Sequence, residues 1–345
     1  MGANFRPARE ASTGDRDPMN TRSKSLTFAG LALALGCSRA STTPAPPVRS
    51  AAVDPTPSAE GRRFPSLPER PTATAGEAFT RAWSDGQAEL SGYTARVNRY
   101  GEMRDAELVL VYVTEPMDRA TWIKDDDAPP ERRVNVLKLN ASLKFQTGVY
   151  PYSVLTSVFS PVDRYRAEPF APAKISLSVQ EWCGHVFYAV WPGEDRFTEQ
   201  LMSYFASEGE RRREVTTPAG ALYEDALLIQ LRELDGPFAG GRDWSGSLVP
   251  SLWSIRRAHV EGAPVAATIT RERATVDGHP VNRFVLRHAG ATRTIEVEAD
   301  GAHRVLGWRG SDGEEARLLR STRMAYWRLN HEGDEAQRRL FGVDP

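Results

Sequence analysis

From residue 77 onward the chain alternates apolar and polar positions far more often than it repeats every three or four residues. Over 137–145 the odd positions are Leu137, Leu139, Ala141, Leu143 and Phe145, and the even ones are Lys138, Asn140, Ser142 and Lys144. That alternation predicts a strand with one face on a core and the other in water. Residues 107–113 (ELVLVYV) are apolar at almost every position, as expected of a central strand covered on both faces. They pair with 90–99 across Tyr100-Gly101. Gly262, Gly278, Gly290 and Gly301 then punctuate strand-like runs at intervals of 16, 12 and 11 residues, the spacing of a meander of hairpins. Helical spacing is confined to 76–84, with Phe79 and Trp83 at i and i+4, and to 222–234, with Leu227, Leu228, Leu231 and Leu234. The expected fold is mainly β: a large curved antiparallel sheet or half-barrel with one or two short helices, similar in outline to periplasmic lipoprotein carriers. A stretch rich in Gly, Pro and Ser over 236–250 leaves two arrangements open, one domain over 77–345 or two lobes with a boundary near residue 240.

The beginning of the chain changes where this domain is expected to work. Arg22 and Lys24 flank an apolar run from Leu26 to Gly36, and Cys37 follows. A run of that length is too short for a permanent membrane span and reads as an export signal. With no apolar pattern before it, Met19 is the expected start. Cys37 is the expected lipid attachment site, and ordinary cleavage at Ser38-Arg39-Ala40 is the rival reading. Residues 38–76 carry eight prolines and no periodicity able to bury a core, so they read as a disordered tether. The protein is therefore expected to face the periplasm on a lipid anchor, on the outer membrane because no Asp follows the cysteine.

Charge excludes one large class of partners. The net charge is −1, with no basic surplus to neutralise phosphates, so nucleic acid is not an expected ligand. Arginine outnumbers lysine 39 to 5; codon bias accounts for this more simply than phosphate recognition does. The two cysteines are Cys37 and Cys183, so an acylated Cys37 leaves no disulfide within the chain. The six histidines at 185, 259, 279, 288, 303 and 331 lack the two-His helical spacing of zinc sites, and there is no CxxC, phosphate loop, dinucleotide fingerprint or nucleophile elbow. The acidic stretch at 124–127 before Pro129-Pro130 lacks the alternating ligands of a calcium loop and reads as a solvated loop. No metal and no cofactor is expected.

The densest sequence lies over 147–191. If the strand beginning at Lys174 runs unbroken, Ile175, Leu177, Val179, Glu181, Cys183, His185 and Phe187 share a face. A cysteine nucleophile with a histidine base and a carboxylate orienter is then chemically conceivable. Neighbours on one face are separated by about 6.5–7 Å, beyond hydrogen-bond reach, and the simpler reading is a packed, inert Cys183 in an apolar strand beside Trp182. Tyr150, Tyr152, Trp182, Tyr188 and Trp191 line either a ligand cleft or an aromatic core.

TGVYPYSVLTSVFSPV and KISLSVQEWCGHVFYAVWP, with the preceding KLN and the AYW near the C-terminus, resemble a family of exported bacterial lipoproteins sometimes labelled "septum formation inhibitor Maf". The resemblance spans about 77–330 and is most specific in QEWCGH. It implies an envelope location and no particular activity, since the chain lacks the basic N-terminal motif and βαβ alternation of the cytosolic pyrophosphatases that bear that label. Three functional readings follow: a non-catalytic binding module for an apolar or cell-envelope ligand, an assembly partner of another envelope protein, and an enzyme using Cys183, His185 and Glu181.

Overall fold

The computed structural model describes residues 75–163, 170–233 and 243–345. The export signal, Met19, Cys37, nearly all of the tether and the boundary at residue 240 lie outside the described residues. The protein is mainly β, and the described residues form a single large sheet of 16 strands. In chain order these are β1 (Ala88–Arg99), β2 (Glu102–Asp118), β3 (Ile123–Lys124), β4 (Arg133–Thr147), β5 (Tyr150–Pro161), β6 (Lys174–Glu181), β7 (Gly184–Pro192) and β8 (Arg196–Ser203). There follow β9 (Glu210–Thr216), β10 (Leu222–Tyr223), β11 (Trp244–Val249), β12 (Val265–Val276), β13 (His279–His288), β14 (Ala291–Glu298), β15 (Val305–Gly310) and β16 (Glu315–Met324). Their order across the sheet is β10-β11-β12-β13-β14-β15-β16-β1-β2-β4-β5-β6-β7-β8-β9, with β3 on the end of β2. All neighbours are antiparallel except β10 and β11.

The sheet is open, because β9 and β10 are its two edges and are not paired with each other. It nevertheless bends. Tyr223 packs its ring 6.2 Å from that of Phe197 on β8, while the next residue, Glu224, holds Arg293 of β14 at 2.9 Å. Nine strand spacings separate β8 from β14, about 43 Å in a flat sheet. Adjacent residues reach both strands only if the sheet wraps around them.

What it wraps is a short helical segment. Leu222–Tyr223 is a strand, Glu224–Ala226 a 3-10 turn and Leu227–Gln230 a single α-turn (α2), so the helix expected over 222–234 is far shorter, and Leu234 lies outside the described residues. Its apolar side chains face two ways. Leu222, Leu227 and Leu231 pack on Ile269, Phe284, Leu286 and Ile295, whereas Tyr223, Ala226 and Ile229 join the core of Leu110, Leu139, Ile175 and Leu177. The helix expected over 76–84 is present as α1 (Glu77–Trp83), with Phe79 and Trp83 buried in the same core. No helix among the described residues is long and apolar enough to cross a membrane.

The hairpins form where the turn chemistry allows. Tyr100-Gly101, Asp277-Gly278 and Ala289-Gly290 each take positive φ at both central positions, the two-residue turn whose twist matches paired strands. The other two expected turns differ. Asp300-Gly301 lies within a longer connection, and 260–262 leads from a helix into β12.

Candidate functional site

The antiparallel order brings the turns after β1, β4, β6 and β8 to one end of the sheet. Each presents a large side chain to solvent: Tyr100 is 58% exposed, Val149 77%, Trp182 70% and Tyr204 65%. Helix α3 (Leu252–Ala258), which the sequence pattern does not announce, ends here too.

At this end the strand expected to run unbroken through QEWCGH is instead a hairpin: β6 stops at Glu181, Trp182-Cys183 forms the turn, and β7 starts at Gly184. Cys183 is consequently exposed, not packed in an apolar strand. The Glu181 carboxylate beside it pushes the thiol above its usual range, the opposite of what a nucleophile needs. That same carboxylate accepts the Cys183 amide at 2.6 Å, and His185 sits across from Gln180 on the strand pair.

Of the five aromatic residues singled out from sequence, three are brought together. The rings of Tyr150 and Trp182 lie 6.3 Å apart, and those of Tyr150 and Tyr152 5.9 Å apart. Tyr188 is buried in the core, donating to Glu199 at 2.5 Å. Trp191 is on the opposite face of the sheet, packed with Met117, Trp122 and Val136.

Two neighbours that sequence reasoning passed over complete the cluster. The Tyr150 hydroxyl donates to that of Tyr100 at 3.1 Å, and the Tyr100 and Tyr152 hydroxyls are 2.8 Å apart. Buried Arg99 donates to both, at 3.3 Å to Tyr100 and 3.1 Å to Tyr152, and its guanidinium stacks 4.2 Å from the Tyr100 ring centre. Tyr100 holds φ at 58°, a left-handed conformation unusual for a bulky residue. Such an outlier persists where the surroundings over-determine it, and functional sites are where such strain gathers.

Beyond Arg99 and Tyr100 opens a pocket of about 570 Å³, walled by Arg257, His288, Arg293, Glu224 and Asp312. Glu224 receives Arg293 at 2.9 Å and lies 3.6 Å from His288. Arg257 donates to Asp312 at 3.1 Å and also to Glu314, which takes the Asn98 amide at 3.1 Å. Burial pushes the Glu314 carboxyl upward against the pull of Arg257. Glu224 and Arg293 also border a smaller cavity, of about 110 Å³, between sheet and helices; Asp225 lines it, its carboxyl pushed up to about 6 by burial. A pocket with perturbed carboxyls and converging polar groups has the physical marks of a functional site.

No family model, curated protein or solved structure matches the chain. The case therefore rests on the geometry. Among the described residues, no cluster of His, Cys, Asp and Glu is arranged to hold a metal ion. The pocket's walls come from β1, β13, β14, α3 and two loops, so no local spacing in the sequence marks them. The one available signal was Tyr100-Gly101, a two-residue turn carrying Tyr where Asn or Asp is the usual choice.

Proposed function

We propose that this protein is a non-catalytic binding module of the bacterial envelope and that it holds its ligand at the hairpin tips. The observation that carries this reading is strained Tyr100, tied to Arg99, Tyr150 and Tyr152 on the lip of the 570 Å³ pocket. That volume lies in the range of small-molecule sites, about 300–1,000 Å³. The cavity between sheet and helices is largely apolar, with Leu108, Leu139, Val154 and Ile295 in its wall, but at about 110 Å³ it is small for an acyl chain, so a lipid carrier is the less supported form of the proposal.

The entry point of the chain fits this reading. The Ala75 amide bonds the Val162 carbonyl, just past the far end of β5, whereas Tyr150 begins that strand at the tips. Eleven strand steps make that separation about 36 Å. The described part of the chain thus begins at the end of the sheet away from the tips. Labelled palmitate should enter the wild type and not Cys37→Ala; equal labelling would end the anchor proposal.

The function is tested by native mass spectrometry of full-length protein purified from its own host. The wild type should retain a ligand that Tyr100→Ala and Trp182→Ala lose. Equal retention by all three contradicts the site. The second reading, an assembly partner, has its own support: Leu155, Phe187 and Met202 lie along one register line on the opposite face, partly exposed.

A further inference from the structure

We infer that the ligand held at the tips is a saccharide. This rests on the binding reading above and specifies its chemistry. Charge decides first. Arg99, Arg257 and Arg293 face Glu224 and Asp312, with Glu314 behind them partnering Arg257 and lying 3.8 Å from Arg293, so three cations meet three carboxylates. No surplus remains to favour a bare anion or a cation. What the site offers instead is donors and acceptors side by side: guanidinium forks, carboxylate oxygens and tyrosine hydroxyls. A sugar hydroxyl is donor and acceptor at once and is satisfied by such alternation, while an acyl chain gains nothing from it.

The second observation is the ring surface. Tyr100, Trp182 and Tyr204 stand on separate turns with their rings largely in water, and Tyr100 borders a pocket to which Asn98, Arg257, His288, Thr292 and Asp312 bring polar groups. Aromatic faces carry negative charge density, and the C–H face of a sugar ring presents the complementary positive edge. Tyr150 has its ring 6.3 Å from that of Trp182 and its hydroxyl bonded to that of Tyr100, so a row of aromatic side chains leads from the β6–β7 turn to the pocket lip. That arrangement accommodates a chain of sugar units, one in the pocket and others along the tips. Third, His288 lines the pocket, and among the described residues its buried Nδ1 has no hydrogen-bond partner, a polar atom left unsatisfied at the site.

The test applies full-length protein to an array of bacterial surface glycans and peptidoglycan fragments, with circular dichroism confirming the fold of each variant. The wild type should bind one or more glycans, and Trp182→Ala and Tyr100→Ala should each weaken that binding at least tenfold. Leu340→Ala, an exposed change in the C-terminal segment, should leave it unchanged. Glycan binding that survives both tip substitutions would place the saccharide elsewhere and overturn the inference. Binding to no glycan, while the wild type still carries an envelope ligand that Trp182→Ala loses, would overturn the saccharide and leave the binding reading intact. Absence of both glycan binding and ligand would overturn the two together.

Discussion

In the proposed binding reading, Tyr100 serves the site at the expense of backbone comfort. Replacing it with Asn, which tolerates left-handed φ, removes strain of about 1 kcal/mol and also removes hydroxyl contacts of similar worth. Tyr100→Asn is therefore expected to keep stability within about 1 kcal/mol of wild type in urea titrations while ligand retention falls. Two buried carboxyls should pull the pH profile of stability in opposite directions. Asp225 titrates near 6 in the folded protein against 3.8 ordinarily, so its protonated form favours folding, and that contribution disappears as pH rises from about 4 to 6. Asp225→Asn should abolish this loss and raise stability at pH 7 by up to about 3 kcal/mol. Glu89 is the reverse case. Burial works to raise its carboxyl, but buried Arg232, bonded to both oxygens at 2.8 and 3.1 Å, holds it low. Its contribution is intact at neutral pH and is lost as pH falls below about 4.5 through the folded value. Glu89→Gln should cost about 3 kcal/mol, the low end for a broken buried pair, because Arg232 loses its two-oxygen partner and keeps only Glu233 at 3.3 Å. At Cys183 the accessible thiol should react with iodoacetamide in the native fold, slowly at neutral pH. Glu181→Gln should shift the labelling profile toward lower pH; an unchanged profile would mean that Glu181 does not control the thiol.

Elements with long, regular signals were legible and short ones were not. The β4 alternation, the doubly covered β2 and the β1–β2 turn at Tyr100-Gly101 all appear in register, with Arg99 opposite Glu102. The hairpin at 182–183 was misread because its flanking residues keep the same period through the turn, so alternation alone does not show that the chain reverses. Helix α3 spans only Leu252–Ala258, less than two full turns, directly after a Gly- and Pro-rich stretch. Two turns is too short a span for a 3.6-residue period to declare itself. Leucines at helical spacing over 222–234 misled in the other direction: a segment clasped by both halves of a bent sheet needs apolar residues on two sides whatever its local conformation. One close approach between elements gives a direct check. A Cβ on Gly92 of β1 would lie 2.1 Å from the Phe341 backbone oxygen and 2.8 Å from Val343. Gly92→Ala should displace the C-terminal segment and cost about 1–3 kcal/mol in chemical denaturation. An alanine variant as stable as wild type would show that this segment does not dock on β1.

At the scale of the whole molecule, the site exists because the sheet bends. Arg99 and Asp312 are separated by more than two hundred residues, and Glu224 reaches Arg293 from a segment that touches β8 as well. Composition and periodicity carried the fold class and, of the aromatics clustered at the tips, Tyr150, Tyr152 and Trp182 but not Tyr100. The ion-paired half was invisible, since each of its members alone reads as an ordinary charged residue near a turn. The edge strand β9 carries Arg211, Arg212 and Arg213, charges that discourage strand addition by another chain. Hydrogen exchange should accordingly be slowest in the middle of β2, β4 and β5 and fastest along β9. The same experiment, run on host-purified protein with its ligand retained and then removed, tests the central claim most directly. Protection gained on ligand retention should concentrate at the turns 100–101, 148–149 and 182–183 and in α3. Protection concentrated instead on the face of Leu155, Phe187 and Met202, or no protection at the tips, would contradict a ligand site at the hairpin tips.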